Sequence, residues 1–408
     1  MEKCKNGKID SSMKAVTYIL TCLLLSVIVG TILMIAVYCL PVLRIRENVR
    51  NSLGIYQLEN DYYRWAPDYE SSQLDNFTDA LMINNAIFLG RDSIVYDAMT
   101  NPYITYDDLA TQTECMIRAA GQDNLEGMIT DYARYWHGYL VWLKPLLMIF
   151  TMSDIRIINM CFQLILLISV VLELHRVGGI QKMIPFILAI LSLNPISVAL
   201  CMQYSSVYCI MLLSVYIMLK FRIYTSKGYW KLFLWIGIAT AFFDFLTYPI
   251  VGLGITLGLY LALQTESCKN QIKNLIKASF SWGIGYGGMW FGKWVVASVL
   301  AGYNVVAEGL ANVRVRVSGN VRESIVNNVK QLCNVPTLLL LIILMVAVIV
   351  IILARKYQFS FRKTHFTVMV IISLYPFIWY SIIRNHSTIH AWMTYRNLSI
   401  YKVIVYCL

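Results

Sequence analysis

Apolar stretches close to the length of a membrane crossing recur along nearly the whole of this chain. A helix needs about 20 predominantly apolar residues to cross the hydrocarbon core. Ten runs approach that length: 16–40, 155–174, 183–201, 204–220, 232–248, 249–264, 278–300, 336–354, 366–383 and 391–408. Hydrocarbon offers backbone N–H and C=O groups no partner, so each segment must satisfy its own, and helices do this within a single run. The expected fold class is an all-α polytopic membrane protein of about ten transmembrane helices. Composition agrees: 14% of the 408 residues are charged, where a soluble domain carries about a quarter. The net charge of +11 comes without a basic patch interleaved with aromatics, so nucleic acid is not an expected partner.

One long polar segment, 43–154, interrupts the pattern and holds most of the acidic residues. The chain therefore divides into a tail and first helix (1–42), a large, partly helical loop between helices 1 and 2 (43–154), and a multi-span bundle (155–408). Run 16–40 is longer than a signal-peptide core and lacks a small-residue cleavage site, so an uncleaved signal anchor is expected. Between 232 and 264 only Tyr248-Pro249 breaks the apolar run, and a tight turn belongs there. With the N-terminus cytoplasmic, 17 Lys and Arg residues fall in the tail and inner loops, against 6 in the short outer loops. By the positive-inside rule the loop 43–154 is then extracytoplasmic. The final run has only twelve residues after Arg396, so it is either incomplete or packed inside the bundle. Most of the ten cysteines lie in apolar runs and read as small buried hydrophobes; Cys115 and Cys333 fall in outer loops and are able to pair.

Within the loop, Leu125, Met128, Ile129, Tyr132 and Trp136 repeat at helical spacing, which predicts a helix lying on the membrane surface. The segment Tyr139–Phe150 that follows is too short to span and contains Lys144-Pro145, so it dips into the outer leaflet or ends against the bundle. In DNFTDALMINNA, helical spacing puts Asp75, Asp79 and Met82 along one side, with Asn84 and Asn85 a turn further on. A carboxylate there is suited to act as general base on a hydroxyl or to help hold a divalent cation. The competing reading is helix capping, with Asp75 as N-cap and Asp79 in the first turn. Asp61, with Glu59, forms a second acidic candidate whose plainer reading is a solvated loop charge.

Asp131, Arg134 and His137 lie loosely along one side of the predicted surface helix. Arg134, His137 and Lys144 are candidates to face an anionic head group, the alternative being an interfacial salt bridge with aromatic anchors. Asp244 and Lys293 sit inside later apolar runs, where a charge costs about 2.5–3.5 kcal/mol at a helix centre. Both fall in the outer third of their helices, as a structural pair or as parts of a site. GIGYGG, Gly283 to Gly288, follows no strand and reads as close helix packing, as does Gly254-x-x-x-Gly258. The closing segment RNHSTIHAWMTYR sets His386 and His390 at i, i+4 without the glutamate of a zinc protease. His386, His390, Tyr395 and Arg396 suit hydrogen bonding to phosphate or sugar.

A short tail, one helix, a long outer loop whose acidic residue opens a helix, and many further spans resemble the GT-C superfamily of integral-membrane glycosyltransferases. DNFTDALMINNA looks like the acidic first-loop motif of its mannosyl- and aminoarabinosyltransferase-like members. Asp75 matches the position that serves catalysis there; Asn76 stands where a second acid is often found, so metal dependence stays open. The resemblance implies a polyprenyl-phosphate-linked sugar as donor, an acceptor in the cell envelope (glycan, lipid or protein), and transfer on the extracytoplasmic face. Asp75, or else Asp79 or Asp61, would deprotonate the acceptor. The alternatives are a lipid-linked polysaccharide polymerase or ligase, a lipid-glycan flippase or transporter, and a non-catalytic scaffold. Polymerases and ligases usually place a large arginine-rich loop late in the chain, whereas here the largest loop is early and acidic.

Overall fold

The computed structural model describes residues 2–332 and 363–401, with residues 339, 342, 343, 346 and 350 between them. The chain opens with α1 (Glu2–Tyr38) and then builds a layer of short elements. These are α2 (Val42–Arg50), α3 (Leu53–Glu59), α4 (Asn76–Ala86), α5 (Ile94–Thr100), β1 (Tyr103–Thr105), α6 (Gln112–Gly121), β2 (Met128–Thr130) and α7 (Leu140–Leu147). The bundle follows: α8 (Met152–Ser192), α9 (Pro195–Leu200), α10 (Met202–Lys220), α11 (Trp230–Phe243), α12 (Ile250–Ala262) and α13 (Cys268–Ala301). Two further helices, α14 (Val305–Val317) and α15 (Val321–Lys330), precede four short ones: Lys363–Ser373, Tyr375–Ile382, Arg384–Ile389 and Ala391–Thr394.

Among the described residues three helices are long and apolar enough to cross a membrane: Met13–Tyr38, Met152–Ile184 and Met202–Lys220. The first two turn Leu20, Leu24, Val29, Phe162, Ile165 and Ile168 outward, as lipid contact allows and water does not favour. Among the described residues the other runs do not all form helices of spanning length. Runs 232–248 and 249–264 yield helices of 14 and 13 residues, about 20 Å each at 1.5 Å per residue, against about 30 Å of hydrocarbon. Asp244 to Pro249 leaves the helical ladder between them, with Leu246 in the left-handed region at φ 69°. Run 183–201 is broken at Leu193 and Asn194, where one helix ends at Ser192 and α9 begins at Pro195. Ahead of that run, at Gly179 inside α8, the backbone takes φ 65°, ψ −170°, a conformation glycine adopts without steric cost, so α8 is two helices and the chain doubles back. Ala199 O, beyond the reversal, accepts from Asn159 Nδ2 at 2.8 Å. Run 336–354 and Cys333 lie outside the described residues; Cys115 is buried and bridges no cysteine among the described residues.

The two ends of the bundle differ. At one end Lys220 and Arg176 pair with Glu173 at 3.1 and 2.9 Å, Lys231 lies 4.3 Å from the Tyr18 ring, and Lys277 lies 5.2 Å from that of Trp230. The other end carries the layer 39–151. The surface helix expected over 125–136 is not there. Met128–Thr130 pairs antiparallel with Tyr103–Thr105, and residues 131–139 form turns that bury Tyr135, Trp136 and Tyr139. Helical spacing of apolar residues is satisfied here by burial in an irregular segment, because Trp136 reaches inward to donate to Met289 O at 2.8 Å. Segment 140–147 does end against the bundle: Leu140, Leu143 and Leu147 are buried, and the helix packs on α1.

Candidate functional site

α4 is the pivot of the layer, buried on all sides despite its polar residues. Each of those finds a partner. Asn84 clamps β1, donating to Ile104 O at 2.8 Å and accepting from Ile104 N at 3.0 Å. Asn85 donates to Asn101 O and Pro102 O and accepts from Tyr139 Oη at 2.8 Å. Asn76 donates to Glu59 Oε2 at 3.0 Å and accepts from Arg156 at 3.2 Å, completing a half-buried Glu59–Arg156 pair with N–O distances of 2.8 Å. An aspartate at 76 would set its charge against Glu59, so the amide suits this network.

The three acidic candidates now separate. Asp79 accepts from Met202 N at 3.0 Å and Gln203 N at 2.9 Å, capping the start of α10. Burial lifts its carboxyl to about 6 against those bonds. Asp61 accepts from Thr113 N and Oγ1 at 2.9 and 2.7 Å, and from Gln112 N, at the start of α6. Both carboxylates are held as backbone acceptors between elements. Asp79→Ala orphans two buried N–H groups, each worth about 1–3 kcal/mol when unmet. It is expected to lower stability by about 2 kcal/mol, measured by thermal unfolding in detergent.

Among the described residues the Asp75 carboxylate is bound by its own helix alone. Its oxygens accept from Thr78 N at 3.2 Å and Thr78 Oγ1 at 2.9 Å, an N-cap. Burial pushes its carboxyl up to about 7, with the bonds from Thr78 opposing. Its charge is felt by Tyr62, whose exposed ring stacks on Phe77 at 6.0 Å and meets Trp392 edge-on at 5.4 Å. Trp392 lies 5.1 Å from His390, and His390 lies 4.7 Å from His386. The DNFTD segment and the closing histidines are therefore joined through Tyr62 and Trp392 in ring-to-ring steps of 6.0, 5.4 and 5.1 Å.

Arg316 extends this line. It bonds His386 Nδ1, while His386 Nε2 meets Leu246 O at 2.7 Å. Since a guanidinium only donates, His386 accepts at Nδ1 and donates from Nε2, a neutral tautomer. Its pKa falls well below the usual imidazole value through burial and the Arg316 charge, and His390 is lowered to about 4 by the same causes. The other Arg316 N–H group donates to Tyr135 Oη at 2.8 Å.

Arg316 and Arg134 together line a cavity of about 290 Å³ between α13, α14 and Tyr375–Ile382. Tyr286, Trp290 and Trp294 form one wall, with Trp379 opposite. These residues belong to an aromatic ladder along α13: Trp282 on Tyr286 at 4.8 Å, Tyr286 to Trp290 at 6.2 Å, Trp290 to Trp294 at 5.9 Å. Exposed Phe291, Leu310, Val313, Ile378 and Ile382 continue the apolar surface outward. Arg134 bonds Glu308 at 3.2 Å and lies 4.2 Å from the Tyr132 ring; its Nε and Trp379 Nε1 are buried and have no partner among the described residues. The arrangement offers two cations at the end of an aromatic groove, a fit for an anionic head on an apolar chain.

Other expected contacts fall elsewhere. His137 is buried, bonding Tyr139 Oη and Tyr132 O at 2.9 Å each, and burial lowers its pKa well below the usual value. It faces inward, away from any head group. Lys144 buries its stem under Tyr38, 4.5 Å from the ring, and burial lowers its pKa to about 8. Asp131 pairs with Arg91 at 2.9 Å, not with Arg134. Asp244 and Lys293 do not pair either. Asp244 accepts from Thr247 N, whereas Lys293 donates to Met99 O at 2.8 Å. Asp244 is satisfied within its own turn, whereas Lys293 reaches from α13 to a backbone carbonyl of the layer 194 residues away. Arg396 is fully buried, 3.9 Å from the Tyr204 ring and beside Tyr395 and Tyr248, donating to Leu193 O and Trp392 O at 3.0 Å each. Among the described residues no three His, Cys, Asp or Glu side chains gather as a metal-ligand set.

Arg316, Trp290, Trp379, Trp392 and Tyr62 were not singled out from sequence. A signal existed for the ladder: Trp282, Tyr286, Trp290 and Trp294 recur every fourth residue, which aligns them on one helix face. Comparison with protein families, with curated proteins and with solved structures finds no match.

Proposed function

We propose that the chain is a membrane glycosyltransferase that moves a sugar from a polyprenyl phosphate to an acceptor hydroxyl. The reaction would take place at the end of the bundle carrying residues 39–151. This reading takes that end as extracytoplasmic and the N-terminus as cytoplasmic. The observation that carries it is the meeting of two guanidiniums with an aromatic-lined cavity, from which His386, His390, Trp392 and Tyr62 run toward Asp75, whose charge acts on Tyr62. The isoprenoid chain lies along the α13 ladder, and its phosphate meets Arg134 and Arg316. Asp75 takes the proton of the acceptor hydroxyl as its oxygen bonds the anomeric carbon. The bond from that carbon to the phosphate oxygen breaks, and the electron pair leaves on phosphate, where the two arginines stabilise it. Asp61 and Asp79 hold the frame, and Arg396 holds the closing segment against Tyr204. A divalent cation is not needed for this proton and charge balance.

The test is direct: purified protein in nanodiscs is offered a panel of polyprenyl-phosphate sugars with acceptor lipids or glycans, and products are read by mass. Transfer to no acceptor from any donor of this class counts against the reading. Arg316→Ala should cut kcat/KM by at least about tenfold, since a charged hydrogen bond is worth about 1.5–3 kcal/mol. The pH dependence follows from Asp75. A base must be ionised, and its carboxyl sits at about 7, so kcat/KM should rise as pH increases and level off above about pH 7. A profile flat from pH 5 to 9 would remove Asp75 as the base.

A further inference from the structure

A second cavity, about 300 Å³, lies at the opposite end of the bundle, between the turn Tyr224–Lys227, the end of α12 and the start of α13. Lys227, Lys273 and Lys277 line it, with Tyr229 stacked on Tyr260 at 4.8 Å as a floor. One carboxylate is present, Glu266, and it is engaged: Asn274 Nδ2 donates to it at 3.2 Å, and Tyr229 Oη donates to Asn274 Oδ1 at 3.1 Å. None of the three lysines makes an ion pair among the described residues. On α13, Lys273, Ile276, Lys277 and Phe280 follow the i, i+3, i+4, i+7 pattern of one helix face. Ile276 and Phe280, 48% and 69% exposed, carry that face upward as an apolar strip. Cations at the cavity and exposed hydrocarbon immediately above it match a phospholipid, head and chain.

We infer that this cavity binds the head group of an anionic phospholipid, with Lys227, Lys273 and Lys277 as its cations and the Ile276–Phe280 strip along its acyl chains. The site is independent of the transfer reaction and stands or falls without it. Basic cavities between helices at a membrane boundary attract anionic lipid through each lysine near the surface. Glu266 opposes that attraction and so provides a second handle.

Full-length protein in neutral detergent is titrated separately with phosphatidylglycerol, phosphatidylcholine and inorganic phosphate, and bound ligand is counted by native mass spectrometry. Phosphatidylglycerol should bind at least about tenfold more tightly than phosphatidylcholine. That preference should vanish in the triple variant Lys227→Gln, Lys273→Gln, Lys277→Gln and grow in Glu266→Gln. Equal binding of the two lipids, or an unchanged preference in the triple variant, overturns the inference. Displacement of the lipid by millimolar inorganic phosphate also overturns it, in favour of a site for free phosphate. If the triple variant does not fold, Lys273→Gln and Glu266→Gln carry the test alone: opposite shifts in the preference support it, and any other pair of results overturns it.

Discussion

Asp75→Asn should abolish transfer, by at least about 10²-fold in kcat/KM, while leaving the amount of folded protein in the membrane unchanged. The two halves of that expectation come from different chemistry. Asp75 caps α4 by accepting from Thr78 N and Oγ1, and asparagine caps a helix about as well as aspartate. Its carboxamide oxygen keeps one of the bonds, but a carboxamide does not take a proton at neutral pH. Asp75→Ala loses both roles and should cost about 1 kcal/mol of stability as well. The measurements are single-turnover transfer from a polyprenyl-phosphate sugar and thermal unfolding of the same preparations. If Asp75→Asn transfers at the wild-type rate, the residue is a cap and nothing more.

Gly237→Val and Gly285→Val should each strip the bundle of its closest helix pair. A Cβ on Gly237 would lie 2.2 Å from Trp282 O and 2.8 Å from Tyr286 N, and one on Gly285 would lie 2.3 Å from Leu234 O. The obstacles are backbone atoms on both sides, so no side chain is free to swing away, and α11 must part from α13. Overpacking typically costs 1–3 kcal/mol, and a contact of backbone on backbone belongs at the upper end, about 3 kcal/mol. Because α13 carries the aromatic ladder, transfer should fall along with the unfolding temperature. Gly283→Ala, with open space around its Cβ position, serves as the control and should change neither. Equal stability for Gly237→Val and Gly283→Ala would mean that the two helices do not pack as closely as described.

Much of the fold is legible in the amino-acid order alone. The apolar runs foretold α1, α8 and α10, because twenty apolar residues in a row leave a chain few other ways to satisfy its backbone. The break before Pro249 and the cap at Asp75 were readable for local reasons: proline lacks an N–H, and an aspartate three residues before a threonine N–H is set to accept from it. The glycine-rich stretch of α13 read correctly as a packing surface at Gly285.

The order of amino acids marks out the apolar helices and the residue types available for chemistry. Packing then sets what each of those residues is bound to. Asp61, Asp75 and Asp79 look alike in one dimension, yet two of them close the ends of helices that begin far along the chain, at Gln112 and Met202. A carboxylate's partners are set by whichever N–H groups packing brings opposite it, and that is a property of the assembled fold. The same holds for Arg134 and Arg316, which reach one groove from distant segments, and for Lys293, which donates to Met99 O in the layer while Asp244 accepts within its own turn. Hydrogen-bond reach is about 3 Å, so assignments of this kind depend on positions finer than helical periodicity can supply.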